Sequence, residues 1–560
     1  MAPQEHAGES KIATLAAIFR GLLPTSGGPV PNVSAKVTQL HGSPSILPAA
    51  RAGIEPLGRK SSERTPLLLP RKRAPMAAAA GSSDIVFGFS KALLCAESSH
   101  LFPLAAQMLV SSVIDFLPGF VSGVLTGHLS QTLSSEYIAA RSLAGIFMMA
   151  TGFTVNIAIG AAMDTLCAQA FGAGKLHEMG VFFQTGLLLF AALFVPVALT
   201  SYFCVDILVL LGQRADIAAL AHDLVLFLLP SLPFHVVNVL LCKILQGQNI
   251  IKPMVYAGLV ANAVHAGLIY VLMFRTRVGY LGSAIAGSAL VACYTATLGV
   301  YFFRSHLYQR EWPGWRLADA LRLVPEFTRL GLSGLFMFVF EYWGFAAASL
   351  FAGLLPSPDV AISADATYSS FRVLCALFYG TISIAGSVRV GNALGANDPA
   401  RAKAAAYLSV ALTVGCSVLT TFAMLLLRGV YPYAYTSDAA VVALTARLML
   451  LTCPFQVFAG VSAAMQGIFR GSGLQLLGAR LNFVCYLALA MPLGLVLAYQ
   501  FELGLVGLWL GLCAGFTCSG CYCLHWLRHA DWHAMALAAQ RRTREPGELS
   551  PPDLSSACLC

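Results

Sequence analysis

The sequence is poor in charged side chains. Asp, Glu, Lys and Arg make up only 11% of its 560 residues, whereas hydrophobic residues make up 57%, and the mean hydropathy is +0.73. Soluble proteins carry about 25% charged residues, so this chain lacks the charge needed to cover a water-facing surface of its size. Its 15 Cys lie mostly in apolar runs. The composition excludes a soluble globular protein and a disulfide-stapled secreted domain, and it predicts an integral membrane protein.

The sequence also lacks the motifs of ATP-driven transporters and of membrane-embedded enzymes. It has no Gly-Lys-Ser/Thr Walker sequence, which argues against transport driven by ATP hydrolysis within this chain. Its isolated intramembrane histidines, His128, His235 and His265, do not form the cluster that a membrane-embedded acyltransferase or desaturase needs. The histidine stripe at 525–533 lies beside tryptophans where the last apolar run ends, which is typical of a membrane-interface belt. No metal site is therefore expected.

Twelve long apolar stretches follow one another in the chain. We place membrane spans near 101–126, 139–162, 180–211, 217–245, 252–274, 280–303, 327–353, 364–390, 402–428, 437–468, 473–498 and 502–527. Residues 1–95, rich in Pro, Gly, Ser and Ala, are predicted to be a disordered cytosolic tail, and 531–560 a second cytosolic tail. Lys and Arg are concentrated in the loops on the side of the N-terminus, which predicts that both termini are cytosolic.

The chain repeats itself at an offset of 220 to 225 residues. The matched landmarks include Gln246-Gly247 with Gln466-Gly467, Asn262 with Asn482, and Gly172-Ala173 with Gly395-Ala396. The offset divides the core into two six-helix halves, 96–303 and 327–530, joined by a central cytosolic loop at 304–326. Because each half has an even number of spans, both halves face the same way. The repeat predicts an all-α membrane protein with the duplicated architecture of an alternating-access carrier.

One acidic residue of the seventh span stands out. Glu341 is surrounded in sequence by aromatic residues, among them Tyr342, Trp343 and Phe345. An acid in that setting is expected to exchange protons near physiological pH, and its aromatic neighbours could hold an organic cation by cation–π attraction. We interpret Glu341 as a proton-coupling residue. The alternative is a structural carboxylate paired with an Arg of a neighbouring helix.

A carrier of this kind has a substrate cavity between its two halves. Two further acids and two amides of the first two spans are candidates to lie in this cavity. Asp115 lies in the middle of the first span and is a candidate second titrating site. Asp164 lies near the end of the second span, where a helix cap or a gate salt bridge is as well supported as a role in transport. Five residues are predicted to line the substrate cavity: Gln107, Asn156, Tyr342, Trp343 and Phe345.

Four short motifs lie in order between residues 100 and 528. They are MDTLCAQAFGA at 163–173, LQGQ at 245–248 followed by Pro253, RVGNALGA at 389–396 and QGIFRGSGLQ at 466–475. This set resembles the motifs of the multidrug and toxic compound extrusion (MATE) antiporters, the eukaryotic branch most of all. The positions that carry the resemblance include Gln169, Gly172, Arg389, Gly391, Gly395, Gln466, Arg470 and Gly471.

The resemblance implies a V-shaped carrier of twelve helices that exports organic cations, toxins or metabolites in exchange for protons, with sodium as the alternative ion and no other cofactor. It implies that Glu341 is the proton-coupling acid of the seventh helix. Ala346 and Ala459 depart from the pattern, because many family members carry a second acid at these positions. Proton stoichiometry and the preference for doubly charged substrates therefore stay open. His265, often His in plant relatives, is a candidate proton relay or a satisfied core residue.

The N-terminal tail contains a candidate sorting signal. Glu63, Leu67 and Leu68 form an acidic dileucine pattern of the kind that sorting adaptors read. The pattern favours a vacuolar or endolysosomal membrane, with the plasma membrane as the alternative. The expected partners are a small-molecule substrate, the lipid bilayer and these adaptors. A monomer is expected, with no nucleic-acid partner.

Two alternative functions stay open from the sequence. A flippase for lipids or lipid-linked sugars would also use two six-helix halves, but it would need several Arg or Lys in its cavity to hold phosphates. Only Arg372 and Arg447 lie deep in the predicted spans. A membrane-embedded enzyme is the second alternative, and the isolated histidines disfavour it.

Overall fold

The computed structural model describes residues 85–86, 89–127, 129 and 134–543. Within these ranges, twelve helices are long and apolar enough to cross a membrane, which confirms the predicted number. We label them in chain order: α1 (Lys91–Thr126), α2 (Glu136–Ala173), α3 (Glu178–Tyr202), α4 (Ala215–Gly247), α5 (Lys252–Phe274), α6 (Gly279–Arg304), α7 (Leu317–Ala352), α8 (Pro358–Gly395), α9 (Pro399–Leu427), α10 (Ala439–Ser472), α11 (Gln475–Gln500) and α12 (Leu505–His529).

The described residues of the two predicted tails include helix and strand. Two short strands, β1 (Ile85–Val86) and β2 (Phe89–Ser90), pair antiparallel before α1, so the tail predicted to reach residue 95 ends earlier. After α12, the segment Trp532–Arg542 forms a further helix, α13, in the predicted C-terminal tail. The remaining predicted tail residues, including Glu63, Leu67 and Leu68, lie outside the described residues.

Several helices extend past the predicted spans. Helix α2 continues to Ala173 where the span was predicted to end at 162, and α7 begins at Leu317, inside the predicted central loop. In α7 the added residues include the charged Asp319 and Arg322, which end the apolar run without ending the helix. In α2 the added residues, among them Gln169 and Ala170, are buried in the fold. Helix α3 is shorter than predicted: Phe203 leaves helical geometry at φ −88° and ψ 19°, and a separate short helix, Cys204–Leu210, follows.

The internal repeat is visible in the helix geometry. Helix α4 tightens into a 3₁₀ turn at Leu229–Ser231, and its counterpart α10 does so at Cys453–Phe455, 224 residues later by position. Each turn contains a proline, which lacks the backbone N–H that a continuous α-helix needs. Because the break recurs at the sequence offset, the two halves share the same local construction.

The two halves meet closely along α2 and α7. A Cβ added to Gly334 of α7 would lie 2.4 Å from the Cβ of Ala161, and one added to Gly331 would lie 2.8 Å from the carbonyl oxygen of Ala158. Only glycine allows the helix backbones to approach this closely. The contact joins the first half to the second close to the middle of α2.

Candidate functional site

A cavity of 820 Å³ lies between the two halves. Its walls come from α2 and α4 of the first half and from α7, α8, α10 and α12 of the second. Cavities of about 300–1,000 Å³ accommodate drug-sized organic ligands. The fold therefore places a site of substrate size where the duplicated halves face each other.

Glu341 lines this cavity and has a defined partner. The amide Nε2 of Gln466, in α10, donates a hydrogen bond to Glu341 Oε2 at 2.7 Å. Among the described residues, no Lys, Arg or His nitrogen lies within 4.0 Å of this carboxylate. The structure therefore does not support the alternative in which Glu341 is a structural carboxylate paired with an Arg.

The aromatic neighbours of Glu341 divide between the cavity and the outside. Tyr342 and Phe345 line the cavity, whereas Trp343 does not, and 55% of its surface is exposed. At 100° per residue, position i+2 of a helix points away from position i, while position i+4 returns to the same face. The placement of Trp343 in the cavity is therefore corrected, and Phe345 is the ring that shares the face of Glu341.

Of the polar candidates in the first half, some line the cavity and others lie outside it. Asn156 is buried and lines the cavity, with its Nδ2 3.3 Å from Nδ1 of His235, another lining residue. Gln107 and Asp115 lie on α1, and no residue of α1 lines the cavity. Helix α1 packs against α5, where Asp115 lies beside Gly258. The prediction that the first helix faces the cavity is corrected, because hydropathy alone does not show which helices surround the cleft.

His265 is buried in α5 outside the cavity. Its Nε2 lies 3.3 Å from the hydroxyl of Ser122 in α1. This is the geometry of a core histidine whose polar atom has a partner. The structure supplies no contact between His265 and Glu341, so the relay interpretation gains no support.

Asp164 takes part in an ion-pair cluster in the cavity wall. Its Oδ1 lies 2.6 Å from Nζ of Lys243 in α4, and its Oδ2 lies 4.0 Å from Nε of Arg470 in α10. Arg470 also donates to the hydroxyl of Ser383 in α8 at 3.0 Å. The cluster joins the two halves, and the gate role considered for Asp164 stays a prediction.

The motif glycines close one end of the cleft. A Cβ added to Gly172 would lie 2.1 Å from the carbonyl oxygen of Asn392, and one added to Gly395 would lie 2.0 Å from that of Gln169. These distances are far shorter than van der Waals contact, so α2 and α8 touch backbone to backbone. Because consecutive spans run in opposite directions, this is the end at which α1 begins and every even-numbered span terminates.

Helix α10 completes the closure. Gln169 donates from Nε2 to the carbonyl oxygen of Gly471 at 3.0 Å. A Cβ added to Gly391 would lie 2.5 Å from the Cβ of Ala168, and one added to Gly471 would lie 2.3 Å from the carbonyl oxygen of Ser387. The motifs that are distant in sequence therefore form one contact layer between the halves.

A buried ion pair in this layer was missed from the sequence. Nη2 of Arg389 lies 2.8 Å from Oε2 of Glu97, and the two side chains are only 5% and 3% exposed. Arg401 of α9 pairs with the same carboxylate. Glu97 lies just before the predicted first span. The available signal was Arg389 itself, since a buried arginine in a motif needs an acidic partner.

Removing this carboxylate is expected to destabilise the protein. In a Glu97→Ala variant two arginines lose their shared partner inside the fold, and breaking a buried pair from one side costs about 3–5 kcal/mol. The apparent unfolding temperature of the purified protein in detergent should fall by several degrees, as measured by fluorescence-detected size exclusion after heating.

The exposed pair between Arg214 and Asp216 provides the control, with side chains 66% and 55% exposed. An Asp216→Ala variant is expected to leave the unfolding temperature unchanged, because exposed pairs contribute little to stability. Equal unfolding temperatures for Glu97→Ala and the wild type would show that the buried pair contributes nothing to stability.

Comparisons with known proteins give one consistent result. The family model described as MatE matches residues 103–271 and 335–496. Multidrug and toxin extrusion protein 1 of Xenopus tropicalis is 32% identical over 453 residues, covering 81% of this chain and 78% of that protein. The human protein of the same name is 30% identical over 418 residues, covering 74% of this chain and 72% of that protein.

The structural comparison agrees with the sequence comparison. The crystal structure of a eukaryotic MATE transporter, AtDTX14, matches with a TM-score of 0.74 at 27% identity, covering 81% of this chain and all of that chain. The matches extend over both halves and confirm the predicted fold class.

Proposed function

This chain belongs to the MatE family of multidrug and toxin extrusion transporters, and from this premise we propose that it is a secondary active antiporter that exports organic solutes in exchange for protons. The observation that carries the proposal is Glu341, a carboxylate on the wall of an 820 Å³ cavity with an amide, and no basic side chain among the described residues, as its partner. We assign proton coupling to this residue. The protein needs no chemical conversion and no bound cofactor for this cycle.

Glu341 couples the proton flux to the substrate flux because its carboxylate binds either a proton or the positive group of a substrate, but not both at once. When it is ionised, it attracts the positive group of a substrate, and the ring of Tyr342 adds cation–π attraction. When a proton binds, the carboxyl becomes neutral and the attraction is lost, so the substrate leaves. Gln466 donates to the ionised carboxylate and holds it in place between these events.

Alternating access requires the closed end to open. The glycine layer, the Asp164 cluster and the Glu97–Arg389 pair all join the halves at that end. They stabilise the state in which the cavity is closed there. In the proposed cycle these contacts separate as one half rocks against the other and re-form after the substrate has crossed.

The cellular setting is inferred from the sequence. We propose that both termini are cytosolic, as the basic loops indicate, and that the closed end therefore faces the cytosol. The tail residues Glu63, Leu67 and Leu68 favour delivery to a vacuolar or endolysosomal membrane through sorting adaptors. A monomer is sufficient, because one chain supplies both halves of the cavity. The flippase alternative is not favoured, since the named relatives are extrusion proteins.

The proposal is tested by flux measurements in proteoliposomes. Purified protein is reconstituted with a fluorescent organic dye inside, and efflux is followed under an inward proton gradient, an inward sodium gradient or neither. We expect efflux to accelerate only under the proton gradient and to return to the basal rate when a protonophore is added. Acceleration by sodium alone would overturn proton coupling, and no gradient-driven efflux would overturn the antiporter assignment.

A further inference from the structure

A helix that lies outside the two repeated halves packs against the closed end of the cleft. Helix α13 begins after the N-cap Asp531, whose carboxylate accepts a hydrogen bond from the backbone N–H of Ala534 at 2.9 Å. Its buried residues are Trp532, Met535, Ala536 and Ala539. They pack in one apolar cluster whose other buried members belong to α8, α9, α10 and α12. Helix α13 is therefore anchored on the second half.

The last turn of α13 reaches the first half. Nη1 of Arg542 donates to Oε1 of Gln169 in α2 at 3.4 Å and to the carbonyl oxygen of Ser472 in α10 at 3.1 Å. Nε of Arg542 lies 3.5 Å from Oε1 of Glu326 in α7, and the arginine side chain is only 13% exposed. One guanidinium thus joins α2 of the first half to α7 and α10 of the second.

The backbone around Arg542 leaves space for its guanidinium. Gly473 ends α10 in the left-handed conformation, at φ 77°, and a Cβ added there would lie 2.6 Å from Nη1 of Arg542. The carbonyl oxygens of the last turn of α10 lack partners within the helix, so a positive charge is favourable at this position. In the same turn of α13, Nε2 of Gln540 donates to the carbonyl oxygen of Gly395, the last residue of α8, at 2.5 Å. Helix α13 therefore binds the ends of two helices that line the cavity.

The contact between Arg542 and Gln169 must break when the closed end opens. Gln169 belongs to the first half, and its amide is held by α10 through Nε2, which donates to Gly471, and by α13 through Oε1. Because α13 is packed into the second half, it moves with that half, and a rocking motion separates Arg542 from Gln169. Arg542 does not line the cavity, so its contacts act on the motion and not on the substrate.

We propose that Arg542 is a gate residue of the transport cycle: its guanidinium holds the closed end shut and leaves Gln169 each time that end opens. The inference rests on the proposed antiport function, because a gate has a role only where the cavity opens alternately to two sides. Hydrogen bonds with a charged donor are stronger than neutral ones. Loss of this contact is therefore expected to shift the equilibrium from the closed to the open state by about tenfold.

The test measures amide hydrogen exchange of the full chain in lipid nanodiscs by mass spectrometry, without an ion gradient. In an Arg542→Gln variant we expect the segment 163–173 of α2 to exchange about tenfold faster than in the wild type. An arginine that only anchors α13 to the second half would raise exchange in 532–542 and leave 163–173 unchanged, and that result would overturn the inference. Arg542→Lys keeps the charge and the position of α13, and should show a smaller increase in 163–173.

The control is Arg528→Gln, which removes an exposed arginine from the last turn of α12 and should leave both exchange and transport at wild-type values. In proteoliposomes, the initial rate of proton-driven dye efflux by Arg542→Gln should fall about fivefold, since the carrier returns less often to the closed state. An efflux rate equal to that of the wild type would overturn the gate assignment and leave proton antiport intact. Wild-type efflux that does not respond to the proton gradient would overturn the antiport function, whereas the exchange measurement decides separately whether Arg542 holds the halves together.

Discussion

A Glu341→Gln variant is expected to lose gradient-driven transport, with a fall in the rate of at least about 100-fold. Gln has nearly the same shape as Glu and can still meet the amide of Gln466, so the cavity wall is preserved. It cannot ionise, and therefore neither attracts a cationic group nor carries a proton across the membrane. The measurement is the initial rate of dye efflux from proteoliposomes at matched protein density, with and without the proton gradient.

The matched comparison is Asp115→Asn. Asp115 is also an acid inside a membrane span, but it lies on α1, which contributes nothing to the cavity wall. We expect this variant to respond to the proton gradient like the wild type. Wild-type transport by Glu341→Gln would show that Glu341 is not the coupling residue. Loss of coupling in Asp115→Asn alone would assign the coupling role to the first helix.

A Gly172→Ala variant is expected to show the second large effect, a loss of transport of at least about tenfold. The added Cβ would lie 2.1 Å from the carbonyl oxygen of Asn392, and because that atom belongs to the backbone, the two helices must move apart. The closed state described here is then destabilised and the cycle stalls. Amide hydrogen exchange in the segment 389–396, measured by mass spectrometry, should become faster.

Gly145→Ala is the control for this substitution. Gly145 lies in the same helix α2, and nothing lies within 4 Å of a Cβ added there. Transport and amide exchange should stay at wild-type values, because an alanine in a helix with free space around it has no steric effect. A Gly172→Ala variant that behaves like Gly145→Ala would show that the closed layer is not part of the transport cycle.

The fold could be predicted from the sequence because its main signals are periodic and long. Apolar runs of membrane length fixed the number of spans, and the repeat offset fixed their grouping in two halves. Helix ends were less predictable, as at Leu317, because a helix does not end where hydropathy falls. The break at Phe203 was also missed, since no Gly or Pro marks it.

The candidate site was only partly predictable. The position of Glu341 in the cavity followed from its aromatic context and from the family resemblance, whereas its partner Gln466 is distant in sequence and was placed by the fold. The prediction that Trp343 lines the cavity was wrong, because a residue close to Glu341 in sequence can point to another face of the helix. The Glu97–Arg389 pair joins residues nearly 300 positions apart, and no local pattern reports such a contact.

The surroundings of Arg372 also could not be predicted from the sequence. A single arginine in an apolar run has a high free-energy cost in the membrane. The sequence does not show whether a carboxylate on another helix neutralises it. The structure places an aromatic ring, Phe345, against its guanidinium and directs Asp365 to other partners. The charge available to a substrate therefore depends on packing that only the fold defines.

The most direct test of the central claim is to measure proton movement driven by the substrate. Proteoliposomes with a pH-sensitive dye in the lumen are given an outward substrate gradient with no initial pH difference. Our account predicts that wild-type efflux acidifies the lumen as protons enter in exchange, and that Glu341→Gln produces no acidification. Substrate efflux through the wild type at constant lumenal pH would contradict the claim that Glu341 exchanges substrate for protons.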